Sequence, residues 1–231
     1  MNKLLAALLI TAGLTGCAST NTSSGGYTTM DKSAQSAMSS DAAIAALKDG
    51  NKRFVSGNMV KRDLMKQVKS TGYGQYPMAT IVSCIDSRAG PEIVFDQGIG
   101  DVFSARVAGN FVNEDILGSL EFASKAAGSK VIVVLGHSSC GAIKGACDDV
   151  VLGNLTGMLA KIKPAVSEVI ASGDRSSNNE AFVQMVAEAN VKRTVNDVMV
   201  KSPVLKAMAA AGEIKIVGAM LDVKSGVVTW Y

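Results

Sequence analysis

The stretch VIVVLGHSSCGAI, running from Val131 to Ile143, decides the fold. Val131 to Leu135 is an unbroken apolar run that closes on Gly136, too short for a helix and apolar on both faces of a strand. A strand buried on both faces belongs to a parallel sheet covered by helices. Working outward, similar short runs occur at Met78 to Val82, Val102 to Ala105 and Ile214 to Leu221. Helical patterns lie between or beside them at Asp115 to Ala127, Leu155 to Ser172, Glu180 to Met199 and Pro203 to Ala211. The alternation predicts an α/β fold with a mainly parallel central β-sheet flanked by helices. At the end of the chain, Ser225-Gly226 turns Asp222 to Trp230 into a C-terminal edge strand. On the other side, Asp41 opens an N-terminal helical arm with Ile44, Leu47, Phe54 and Val55 on one face, capped by Ser39 or Ser40 and stopped by Gly57. A second amphipathic stretch covers Leu64 to Lys69.

Composition narrows the function. A chain of 231 residues, 48% hydrophobic and 19% charged, can bury a sizeable core as one domain, or at most two small ones, and is neither disordered nor a coiled coil. Its net charge of +3, from 23 basic and 20 acidic residues interspersed along the chain, is no footprint for nucleic acid, so no nucleic-acid partner is expected. Four cysteines make no disulfide scaffold, and the single histidine, His137, is the one address for imidazole chemistry.

The first 40 residues read as targeting and tether. Lys3 followed by the apolar run Leu4 to Leu14 is too short to span a bilayer and reads as an export signal over residues 1–16. Leu14-Thr15-Gly16-Cys17 resembles a bacterial lipobox, implying a diacylated Cys17. Residues 17–40, rich in Ser, Thr and Gly, are expected to be a lipidated flexible tether, and residues 41–231 the folded domain. The expected location is the cell envelope, lipid-anchored to the outer membrane on the periplasmic side.

The chemistry sits at two strand ends. Ser83-Cys84-Ile85-Asp86-Ser87-Arg88 follows one strand and Gly136-His137-Ser138-Ser139-Cys140-Gly141 follows another. In parallel sheets, sites gather at the carboxyl ends of strands. Two loops there can bring two thiolates and an imidazole to one point, a Cys2His set suited to Zn2+ with a fourth position open for catalysis. Gly136 and Gly141 let the backbone turn tightly enough for His137 and Cys140 to share one ion. Asp86, paired with Arg88, either binds the metal or orients its water.

These motifs resemble the β-class carbonic anhydrases. Cys84-x-Asp86-x-Arg88 and His137-x-x-Cys140 are similar to the family's two ligand loops, and the likeness extends to Gly50-Asn51-Lys52-Arg53-Phe54, Arg106-Val107-Ala108-Gly109-Asn110 and Gly218 to Gly226. The resemblance implies reversible hydration of CO2 to bicarbonate and a proton by attack of zinc-bound hydroxide, in a homodimer or dimer of dimers with active sites at the subunit interface. It implies zinc on Cys84, His137 and Cys140, catalytic roles for Asp86 and Arg88, and Asp86 as a fourth ligand in a closed state only. It also places Gln75 and Phe103 at the substrate, where their bland alternatives are a polar loop residue and strand core. The plant-type pocket tyrosine corresponds to Phe122. A tryptophan of the bicarbonate-inhibited members corresponds to Ile81, which favours the open form. Relatives of this fold hydrolyse carbonyl sulfide or carbon disulfide at the same zinc site, so those substrates are the alternative.

With His137 committed to metal, no histidine shuttle remains, and Asp96, Asp101 and Glu121 are the carboxylate candidates for proton transfer. Cys147, seven residues past Cys140, reads as a buried apolar residue that pairs with a ligand cysteine only if zinc is lost.

Overall fold

The protein is described by a computed structural model over residues 28–231. The expected signal, Cys17 and the first part of the tether lie outside the described residues. Five strands, β1 (Ala79–Ser83), β2 (Val102–Arg106), β3 (Val131–His137), β4 (Lys215–Leu221) and β5 (Val228–Trp230), form one sheet in the order β2-β1-β3-β4-β5. The first four are parallel and β5 is antiparallel to β4, as the C-terminal turn predicts. Every residue of β1 and β3 is buried. Alternate residues face two cores. Val82, Ile132 and Val134 point into one, while Ala79, Ile81, Val131 and Val133 point into the other.

The arm helix α2 (Ser40–Val55) begins at Ser39, whose side chain accepts the Ala42 N–H, and covers the second core with Ala43 and Leu47. Its Gly50 lies against the Phe95 carbonyl, where an added Cβ would sit 1.8 Å from that oxygen, so only glycine permits this approach. Asn51 then donates to the carbonyls of Val94 and Gly226 and accepts the Val228 N–H, tying the arm to β5. The second amphipathic stretch is α3 (Leu64–Thr71), and α4 (Pro91–Val94) follows the first ligand loop.

On the opposite face lie α5 (Glu114–Glu121), α6 (Gly141–Cys147), α7 (Gly153–Leu159), α8 (Lys163–Glu168), α9 (Glu180–Lys201) and α10 (Pro203–Ala210). Three expectations are corrected. Residues 32–37 are not tether but helix α1 (Lys32–Ala37), docked by the buried Gln35, whose amide donates to the carbonyls of Pro77 and Ala127. A single helix over Leu155 to Ser172 is interrupted between α7 and α8, because Pro164 has no N–H to continue the ladder and instead sits in the first turn of α8. The helix over Asp115 to Ala127 ends in a π-helical turn, Phe122–Ala126, closed by Ala127 N–H to the Phe122 carbonyl. Among the described residues, no helix is long and apolar enough to cross a membrane.

Candidate metal centre

Strand register builds the site. Ser83 pairs with Leu135 across β1 and β3, so Cys84 and His137 leave adjacent strands at the same end. Cys140 is the residue before α6 and comes back to the same point. The three ligand atoms lie within 4.8 Å of one another, and all three residues are buried. Two sulfurs about 2.3 Å from a tetrahedral zinc are about 3.8 Å apart, and the Sγ atoms of Cys84 and Cys140 are separated by 4.0 Å.

The imidazole is oriented for a metal. His137 Nδ1 contacts the Ser138 carbonyl at 2.9 Å, which makes Nδ1 the protonated nitrogen and leaves the lone pair on Nε2. That Nε2 is buried and makes no hydrogen bond. A buried acceptor without a partner is costly, and a cation shared with two thiolates removes the cost. The donor set, its spacing and the orphaned nitrogen together fit zinc.

The electrostatics of the three groups agree. The Cys84 thiol is pulled well below its ordinary range, first by Cys140 and then by His137 and the N–H of Gly109, against the opposing effect of burial. Cys140 is pushed up by Cys84 and by burial. One thiolate is therefore easy to form and the second is not, a repulsion that a divalent ion relieves. Burial lowers the tendency of His137 to protonate, yet the Cys84 sulfur, the Ser138 carbonyl and Asp86 outweigh it and raise its pKa.

Asp86 stands 3.9 Å from His137 through Oδ2. Arg88 occupies its carboxylate through Nε at 2.9 Å and Nη2 at 2.8 Å, and the Arg88 backbone N–H adds a third contact at 2.9 Å. These hydrogen bonds hold the Asp86 carboxyl well below the usual carboxylate range, against some desolvation. Asp86 is thus ionised and oriented by Arg88, beside His137 but not one of the three mutually clustered ligand atoms.

Gln75 and Phe103, the residues expected at the substrate, are not part of the Cys84–His137–Cys140 cluster within one chain. Gln75 is exposed before β1, at the end of the strand opposite Cys84. Phe103 is on the edge strand β2, edge-on to Phe122 at 6.3 Å between ring centroids, and both line a cavity of about 610 Å³ with Thr80 and Ile116. Phe122 is 58% exposed there. Ile81 is core. The carboxylates considered for proton transfer are occupied. Asp96 and Asp101 are fully buried, Asp96 between Arg53 and Arg62, and Glu121 accepts from Ser202. Cys147 is half-buried at the far end of α6 from Cys140. Seven residues of helix span about 10 Å, beyond the Cα separation of about 7 Å that a disulfide tolerates, so pairing with Cys140 is excluded in this fold.

Other residues shape the site, and two of them lie in the stretch Arg106 to Asn110 that the sequence singles out without giving it a role. Arg106 donates to the carbonyls of Cys84 at 2.9 Å and Asp86 at 2.7 Å, bracing the first ligand loop from β2. Gly109 gives its N–H to Cys84 Sγ at 3.4 Å in a left-handed conformation (φ 80°), and its carbonyl accepts from the buried Asn190 at 2.7 Å. An added Cβ at Gly109 would lie 2.4 Å from Ile162.

Comparison with known proteins agrees with this geometry. Residues 79–228 match the family model described as carbonic anhydrase. Carbonic anhydrase 2 of Mycobacterium tuberculosis (strain CDC 1551 / Oshkosh) is 36% identical over 191 residues, which is 80% of this chain and 89% of that protein. The carbonic anhydrase of Mycolicibacterium smegmatis is 35% identical over 187 residues, 80% of this chain and 90% of its own. Among solved structures, the β-carbonic anhydrase CafA of Aspergillus fumigatus superposes with a TM-score of 0.62 at 25% identity, covering 83% of this chain and 89% of the other.

Proposed function

The chain belongs to the β-class carbonic anhydrases, and from that premise we propose that Cys84, His137 and Cys140 hold zinc and that Asp86 and Arg88 serve the reversible hydration of CO2 to bicarbonate and a proton. The observation that carries the proposal is the orphaned, buried Nε2 of His137 beside two sulfurs. The chemistry zinc supplies when bound is Lewis acidity, which takes the pKa of a water from about 16 toward about 7.

The protein's own residues supply orientation. Asp86 has no proton to give, so it accepts the O–H of the reacting water and fixes where that oxygen's lone pair points. Arg88 keeps the carboxylate ionised and stops it from turning. For Asp86 to become a metal ligand instead, it would have to leave three hydrogen bonds to Arg88. We therefore assign the open state to the resting enzyme. Stopped-flow hydration of CO2, run beside hydrolysis of carbonyl sulfide and carbon disulfide by the same zinc-loaded protein, tests the assignment. Turnover of CO2 that falls to background in Asp86→Asn supports it, whereas turnover of only the sulfur compounds replaces it with the hydrolase reading.

The active form we propose is a homodimer or a dimer of dimers. Leu64 and Met65 of α3 are 53% and 64% exposed, while polar Gln67 of the same helix is buried, so the apolar face of α3 points outward. The open edge of β2 and the Phe103–Phe122 cavity add a second uncovered surface. Exposed apolar surface of this kind marks an interface. A second copy could also bring Gln75 to a neighbour's site, which its own strand forbids. Sedimentation at micromolar concentration reads the assembly directly, and a monomer would refute it.

Lipidation of Cys17 and an envelope location facing the periplasm complete the proposal. The reaction there interconverts a membrane-permeant gas and an impermeant anion. Thr29, near the start of the described chain, contacts Ser70 of α3 at 3.0 Å. Retention in the membrane fraction and its loss in Cys17→Ser test this part.

A further inference from the structure

The carbonyl that sets the His137 tautomer belongs to Ser138, and Ser138 is held from outside its own loop. Its N–H donates to the Leu221 carbonyl at 2.8 Å. Its hydroxyl donates to Asp222 Oδ1 at 3.1 Å and accepts the Val223 N–H at 3.0 Å. Asp222 is itself fixed by the turn after β4. Its Oδ1 accepts from the Lys224 N–H at 3.1 Å, and its Oδ2 from the Ser225 N–H at 3.2 Å and the Ser225 hydroxyl at 2.6 Å. The next residue in the loop, Ser139, has φ 54°. A residue with a Cβ takes that left-handed conformation only where its surroundings over-determine it. The loop joining His137 to Cys140 is therefore tied to the C-terminal turn through Ser138.

We propose that Asp222, acting through Ser138, is a positioning residue for the metal centre. An imidazole binds a metal through one nitrogen only when the other carries the proton, and the group that accepts this proton fixes both tautomer and ring plane. In many metal sites a carboxylate accepts it directly. Here the acceptor is a main-chain carbonyl, and the carboxylate works one residue removed, by gripping the hydroxyl of the residue that owns that carbonyl. The inference rests on the zinc reading of Cys84, His137 and Cys140.

His137 is the single histidine of the chain, so the test has one set of imidazole signals. Untagged, 15N-labelled, zinc-loaded protein should show a His137 Nδ1–H proton that exchanges slowly with water. In Ser138→Ala that exchange should quicken at least tenfold, and zinc should pass to a competing chelator about 10 to 100 times faster. Ser138→Thr, which keeps the hydroxyl, should restore both rates. A Ser138→Ala protein with both rates within twofold of wild type would overturn the proposal. If Ser138→Ala does not fold, Asp222→Asn, which leaves one oxygen for the turn, is read by the same two rates, and unchanged values there also overturn it. Failure of the zinc reading looks different. Wild-type protein would then take up no zinc, while the His137 tautomer of the protein as purified would still report whether Ser138 and Asp222 set it.

Discussion

Both carboxylate oxygens of Asp86 are held by the side chain of Arg88, only two positions further along the chain, at 2.9 and 2.8 Å. A pair so local needs no long-range packing to form, and it delivers an ionised acceptor 3.9 Å from Nε2 of His137. Asp86→Asn preserves shape and removes the charge. Its turnover of CO2 should fall about 100-fold or more, the scale of a lost proton-handling group, while its zinc content stays at the wild-type level. Stopped-flow hydration with metal analysis on the same sample checks this. Loss of zinc together with activity would make Asp86 a ligand rather than an orienter.

Arg106 braces the Cys84 loop through two main-chain carbonyls. In Arg106→Leu these acceptors lose a charged donor; such bonds contribute about 1.5–3 kcal/mol each at most, and less here because Arg106 is exposed to water. The expected outcome is a lower melting temperature and faster zinc loss, with the Asp86–Arg88 pair unaffected because it is closed locally. Thermal denaturation and chelator competition read the two effects separately.

Asp96 is fully buried and anchors the loop after the arm helix. Burial alone would raise its pKa, but Arg53, Arg62 and the Val60 N–H more than compensate and lower it. A carboxylate whose folded pKa is depressed adds stability that is present above its unfolded pKa of about 3.9. That stability is lost as pH falls through the lower folded value. Asp96→Asn leaves two guanidinium groups facing a neutral amide and should cost about 3–5 kcal/mol at neutral pH, the scale of breaking a buried pair. It should also flatten the fall of stability with pH below about pH 4. Denaturant unfolding at several pH values measures both.

The sheet and the convergence of Cys84, His137 and Cys140 were legible because their signals are local. Val131 to Leu135 is apolar on both faces only because both faces are covered, and Cys84 follows β1, His137 ends β3 and Cys140 precedes α6 three residues later, all at strand ends marked in the chain. The helix at Lys32–Ala37 was not legible, since its polar, Ser-rich composition hides a docking role carried by the single side chain of Gln35. The bracing by Arg106, Asn190 and Asp222 was hidden for a different reason. Each hydrogen bonds across 20 or more positions, most often to main-chain groups, and no periodicity records such a contact. Gln75 was placed at the substrate by likeness alone; it precedes β1, whose other end carries Cys84, and no local signal joins the two.

The most direct measurement removes the metal and returns it. Protein lacking residues 1–16, dialysed against a chelator and titrated with zinc, should regain CO2 hydration in proportion to zinc bound and reach its plateau at one ion per chain. The same titration of Cys84→Ser should stay flat at low zinc. Full hydration activity in the metal-free protein, or a zinc-saturated protein that hydrates CO2 no faster than buffer, would contradict the account.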